Sequence, residues 1–157
     1  MFYEDMRVGR VMQLGSMAFT RDSILAYAAR FDPRILAAAR EGGPVAAAGL
    51  HVASALMRRL VETRNALRAE MAARGETLPE FGVSPGFRDM RWPHPVWEGD
   101  VVSYAMETIS KREISKPNWG LVGNSFRGVN QRGEDVLAFS SVVLVARKPR
   151  NDEFGRA

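Results

Sequence analysis

The sequence predicts an α+β domain in which a long central helix is wrapped by a curved antiparallel sheet. Three observations carry this expectation. The stretch from Ala48 to Arg74 reads as one helix of about 27 residues, or roughly 40 Å. Its front is nearly free of charge and its rear is heavily charged, so the front is expected to be enclosed and the rear to project into solvent. Nearly all the strand-like segments follow this helix in unbroken succession, and such an order favours helix packed on antiparallel sheet.

The elements follow in order. Residues 10–19, RVMQLGSMAF, read as a first strand. Thr20 is placed to cap the next helix, and Asp22 puts negative charge at that helix's positive end. Ile24, Ala28 and Phe31 recur at helical spacing. Pro33 ends this helix, because the residue before a proline resists the α region, and so Asp32 sits at a helix terminus. An alanine- and glycine-rich bridge follows, broken at Gly42, Gly43 and Pro44. In the long helix Leu50, Ala53, Met57, Leu60, Leu67 and Met71 are expected on one face, with Gly75 as the stop. FRDMRW is a short strand closed by WPHPV. Val101–Ile114, Trp119–Val129 and Val136–Arg147 are three longer strands, the last two joined by a turn at Gly133. Residues 150–157 read as a loose tail. The simplest packing of these parts, a helix in a bent sheet, is the hot-dog fold.

Bulk properties narrow the function. The 157 residues suit one domain, and the net charge of +4 comes from 22 basic and 18 acidic residues. The arginines are scattered among acids and accompany no nucleic-acid motif, so no nucleic-acid partner is expected. The longest weakly polar stretch, Gly42 to Met57, is shorter than the roughly 20 residues a membrane helix needs, and the start MFYEDMRVGR lacks an apolar signal-peptide core. A soluble, cytoplasmic protein is expected. The absence of cysteine excludes a disulfide, a thiolate nucleophile and a cysteine metal site.

Five stretches then resemble one family: YEDMRVGRV, ILAYAARFDP, AAGLHVASALM, MRWPHPVWEGDVV and VNQRGEDVLAFSSVVLVARKP. In this order they are similar to the MaoC-like acyl-CoA dehydratases and R-specific enoyl-CoA hydratases, over about residues 2–149. The resemblance implies a single hot-dog domain over 1–149 and a homodimer or larger assembly of dimers. It further implies a role in fatty acid metabolism, with a coenzyme A thioester as substrate and no separate cofactor. It implies addition or removal of water at the α,β-position of the acyl chain. The family carries an aspartate at the end of the short helix and a histidine five residues later. Asp32 matches the aspartate, whereas the matching position beyond it is Ala37, and Ile35 replaces a common proline. The stretch from Asp32 to Gly49 is also shorter than in the histidine-bearing members.

The chemistry needs a base for water, an acid for the α-carbon, and donors for the charge growing on the thioester oxygen. Gly49 and Leu50, at the start of the long helix, offer free amides and the positive dipole end. Asp32 is the candidate base, with a structural carboxylate as its competing role. His51 is the candidate second catalytic group, with packing as its competing role. Ser54 and Met57 are expected on the enclosed half of the helix, Ser54 as an acyl contact. Arg91 is the candidate for the coenzyme A phosphates, with Arg58, Arg88 and Arg112 as further possibilities. Asn118, Trp119 and Gly120 form a turn able to border the ligand. His94, held between prolines, reads as structural, and two histidines so placed make no metal site. Two competing functions stay open: a silent acyl-CoA-binding subunit, favoured by Ala37, and a hot-dog thioesterase.

Overall fold

The computed structural model describes residues 2–76 and 81–149. Five antiparallel strands form one sheet: β1 (Val11–Ala18), β2 (Phe87–Arg91), β3 (Val101–Glu113), β4 (Trp119–Asn130) and β5 (Asp135–Ala146). Their spatial order is β1-β3-β4-β5-β2, which leaves β1 and the short β2 at the edges. The helices are α1 (Arg21–Phe31), α2 (Pro33–Arg40) and α3 (Gly49–Ala73). The proposed tail, residues 150–157, lies outside the described residues. No helix among the described residues is long and apolar enough to cross a membrane.

Local chemistry accounts for the boundaries. Thr20 caps α1, its hydroxyl accepting the Ser23 N–H at 3.1 Å. At the end of α3, Gly75 has φ +70°. The Glu76 N–H reaches the Met71 carbonyl and the Gly75 N–H the Ala72 carbonyl, a Schellman termination. α2 was not expected, since Pro33 was read only as a stop. It does end α1, but its fixed φ also suits the first position of a new helix, and ILAAAR continues it readily. Arg21 staples this overhang together: its guanidinium donates to Glu98 at 3.0 Å and to the Gly43 and Ala39 carbonyls.

The core lies between the first half of α3 and the sheet. Val52, Leu56 and Leu60 face Leu14, Val102, Tyr104 and Phe126, and all are almost fully buried. The buried Tyr104 hydroxyl donates to the Val52 carbonyl at 3.1 Å. This corrects the expected face. Leu50 is 61% and Met57 41% exposed, and Ser54 is exposed as well. Apolar and small residues surround the first turns of α3 on all sides, so periodicity does not choose the inward face there. The front half is enclosed on one side only, and Leu50, Ser54, Met57 and Val61 form a stripe along the other.

The entry to β3 is pinned by Asp100, which is 3% exposed. Its carboxylate accepts the Trp97 N–H at 2.9 Å, the Gln131 amide at 2.7 Å and both terminal nitrogens of Arg132 at 2.7 and 3.2 Å. Its carbonyl accepts the Phe19 N–H, which ties the end of β1 to the same corner.

Candidate functional site

The start of α3 is held by two crossing segments. The Ala47 N–H bonds to the Val96 carbonyl, and the Glu98 N–H to the Val45 carbonyl. Trp92, just beyond β2, donates its indole N–H to the Gly49 carbonyl at 2.8 Å. A Cβ at residue 49 would stand 2.8 Å from Trp92 Cε2, so the indole requires a glycine there. Gly49→Ala is therefore expected to displace Trp92 and cost about 1–3 kcal/mol of stability, read by denaturant unfolding with tryptophan fluorescence.

The first turn of α3 is chemically open. Ala48, its N-cap, provides no side-chain cap, and the turn contains no acidic residue. The Gly49 and Leu50 N–H groups have no hydrogen-bond partner among the described residues. Two donors and the positive end of a 25-residue helix are thus available to an anion or a polarised carbonyl.

The other candidates fall around this turn to differing degrees. His51 is 9% exposed and wedged between two rings: Tyr27 is stacked at 4.5 Å and Phe19 meets it edge-on at 5.1 Å. Burial lowers its pKa, which keeps it neutral at pH 7. Its Nδ1 is buried without a partner among the described residues. Asp32 follows Tyr27 by five residues on α1, about 7.5 Å further along the axis. Tyr27 thus brings the end of α1 toward the start of α3. Both Asp32 oxygens accept from Arg34, Nε and Nη2 each at 2.9 Å. This contact lowers the carboxyl's pKa, so Asp32 is ionised at neutral pH. The Arg34 side chain is 88% exposed, and an exposed pair of this kind is weak enough to open.

Ser54, expected in the enclosed half, instead faces out and donates to the Leu50 carbonyl at 2.7 Å. Arg91 is exposed and adjoins Trp92, hence the Gly49 corner. Arg58 is engaged by Glu62 on the outer face of α3. His94 Nδ1 lies 2.9 Å from the Asp135 carbonyl, in keeping with a structural role. Gly120 is spoken for by packing, because a Cβ there would meet the Tyr3 ring at 2.1 Å. Ala37 is exposed on α2 and offers no proton-transfer group. Trp92 was missed in the sequence. Its only signal was an aromatic residue directly after Arg91, with nothing to indicate a glycine partner 43 residues away.

No protein-family model matches the chain. In structure the chain resembles the MaoC-like dehydratase of Rhodospirillum rubrum. The TM-score is 0.74 at 28% identity, over 96% of this chain and 99% of that one. This chain has the hot-dog fold and is similar to the MaoC-like dehydratases. The R-hydratase PhaJ1 of Pseudomonas aeruginosa shares the fold, with a TM-score of 0.60 at 19% identity over 94% of this chain and 86% of that one. Mesaconyl-CoA hydratase of Cereibacter sphaeroides is 32% identical over 78 residues, covering 47% of this chain and 23% of that protein. The chain therefore spans about a quarter of that curated relative's length.

Proposed function

We propose that the protein binds an acyl-CoA thioester at the first turn of α3 and acts as an enoyl-CoA hydratase or dehydratase. The observation that carries this reading is the uncapped helix start, where the Gly49 and Leu50 amides are free, on a turn whose His51 stacks on Tyr27 of the helix that Asp32 ends. In this mechanism the two amides receive the thioester oxygen and stabilise the enolate-like charge that grows on it as water adds to the β-carbon. Asp32, released from Arg34, takes the proton from water and returns it to the α-carbon. His51 packs against Tyr27 and Phe19 and is assigned a packing role, its Nδ1 being buried without a partner among the described residues. Arg91 meets the coenzyme A phosphates. The likeness to the Rhodospirillum dehydratase supports the reaction class.

In this reading the site is finished by a second copy. A cavity of one chain lies under the second half of α3, away from the first turn. The exposed stripe of Leu50, Met57 and Val61 runs down from that turn, and an apolar helix face of this kind needs covering. A homodimer packed along the stripe would wall the thioester in. A Met57→Glu, Val61→Glu double variant is expected to be monomeric by light scattering while retaining its secondary structure.

The second reading, a silent acyl-CoA-binding subunit, is favoured by the exposed methyl of Ala37 and the packing of His51 between Tyr27 and Phe19. Incubation with crotonyl-CoA separates the readings. Loss of the conjugated band without free thiol supports hydration. Saturable binding with the band intact supports the silent subunit. Release of free thiol would mean thioester hydrolysis and would overturn both.

A further inference from the structure

We infer that the cavity beneath the second half of α3 is a binding site for an amphiphile with an apolar chain and an anionic end, separate from the first turn of that helix. Beyond Leu60 no residue of α3 is buried, and the helix stands away from the sheet. The space beneath it is about 480 Å³, within the range of small-molecule sites. Met6, Met12, Leu67, Met71 and Met106 line it, with Val145 at its floor. Unbranched thioethers adapt to a flexible chain better than branched side chains do. Leu67 follows Gly49 by 18 residues, about 27 Å along the axis. The closed layer of Leu56, Leu60, Tyr104 and Phe126 belongs to the packed core under the first half of the helix. The cavity is therefore distinct from the corner proposed for the thioester, and the inference does not depend on that proposal.

The rim indicates the charge. Arg64 lines the cavity with its guanidinium 4.5 Å over the Phe81 ring, and it makes no ion pair among the described residues. Arg68, one turn further on, lines the same rim and likewise makes no ion pair among the described residues. Glu76 also lines it, but its carboxylate is already held by Arg74. Burial lowers the Arg64 pKa, so this guanidinium is partly desolvated at the rim. A planar fork above an aromatic ring, at the mouth of an apolar space, suits a carboxylate whose chain runs inward.

Eight methionines make the test direct, since four of them line the cavity. The full chain, labelled at the methionine methyls, is titrated with decanoate and followed by NMR. Saturable shifts are expected at Met6, Met12, Met71 and Met106, while Met17 and Met57 stay still. Affinity should rise about fourfold per methylene from octanoate to decanoate. Arg64→Gln and, separately, Arg68→Gln should each weaken decanoate about tenfold and leave decanol unaffected; one folded variant suffices. Absence of saturable binding, shifts centred on Met57, or unchanged affinity in the folded variants would overturn the inference. Shifts at the four methionines that track protein concentration without decanoate would assign the cavity to a subunit contact and also overturn it.

Discussion

Asp100→Ala lowers the unfolding free energy at pH 7 by about 3 kcal/mol, a larger loss than any surface substitution should produce. The carboxylate is almost fully buried and accepts from Trp97, Gln131 and Arg132. Removing it orphans the part-buried Trp97 N–H and frees the turn that launches β3. The Arg132 guanidinium is 45% exposed and regains water, so the loss stays below that of a fully enclosed pair. The Arg132 contact, with smaller help from the Trp97 N–H and the Gln131 amide, holds the Asp100 pKa at about 2. The unfolded value is near 3.9, so the folded pKa is depressed. The associated stability, about 2–3 kcal/mol, is fully present above the unfolded pKa and fades as pH falls through about 2. Denaturant melts of wild type and variant should differ most near neutrality and converge toward pH 2. A constant difference across that range would show that Asp100 acts by shape rather than charge.

On the proposed mechanism, Asp32→Asn is expected to lower the rate of enoyl-CoA hydration by about 10²- to 10⁴-fold, the usual consequence of removing a general base. The substitution keeps the size and polarity of the side chain and removes its proton affinity. In the proposed site the thioester oxygen rests on the Gly49 and Leu50 amides, so acyl-CoA binding should change little. The pH profile carries a second reading. Arg34 holds the Asp32 carboxyl below its ordinary range, so the base stays ionised through mildly acidic pH and is lost only as pH falls toward that lowered value. Hydration by wild type should hence persist at pH 5 and decline further into acid. A decline that begins well above the carboxylate range would instead point to an imidazole and return His51 to the reaction. Equal rates for wild type and Asp32→Asn would leave the aspartate as a structural link to Arg34.

Particular residues show what was legible in the sequence. Thr20, Pro33 and Gly75 each act through backbone geometry within a few residues, and each marks a real boundary. The strands from Phe87 onward lie between clear turn signals and are placed almost to the residue. The inward side of α3 was not legible, because GLHVASALM offers apolar residues all round and only the sheet selects Val52, Leu56 and Leu60. The site was legible as types and not as contacts. Asp32 stood out at its helix end, yet its engagement by Arg34 depends on side-chain directions that spacing does not fix. Gly49 stood out as a helix start, but the glycine is demanded by Trp92, a contact made through the tertiary fold. The burial of His51 follows from Tyr27 and Phe19, which come from α1 and the segment before it.

The central claim is that the first turn of α3 receives a thioester oxygen. The most direct measurement is the amide spectrum of ¹⁵N-labelled protein titrated with butyryl-CoA, a saturated ligand that cannot turn over. The account expects saturable shifts of the Gly49 and Leu50 amides toward stronger hydrogen bonding, together with Trp92 indole perturbation. Saturable binding that leaves those two amides unmoved, or shifts confined to the second half of α3, would contradict it.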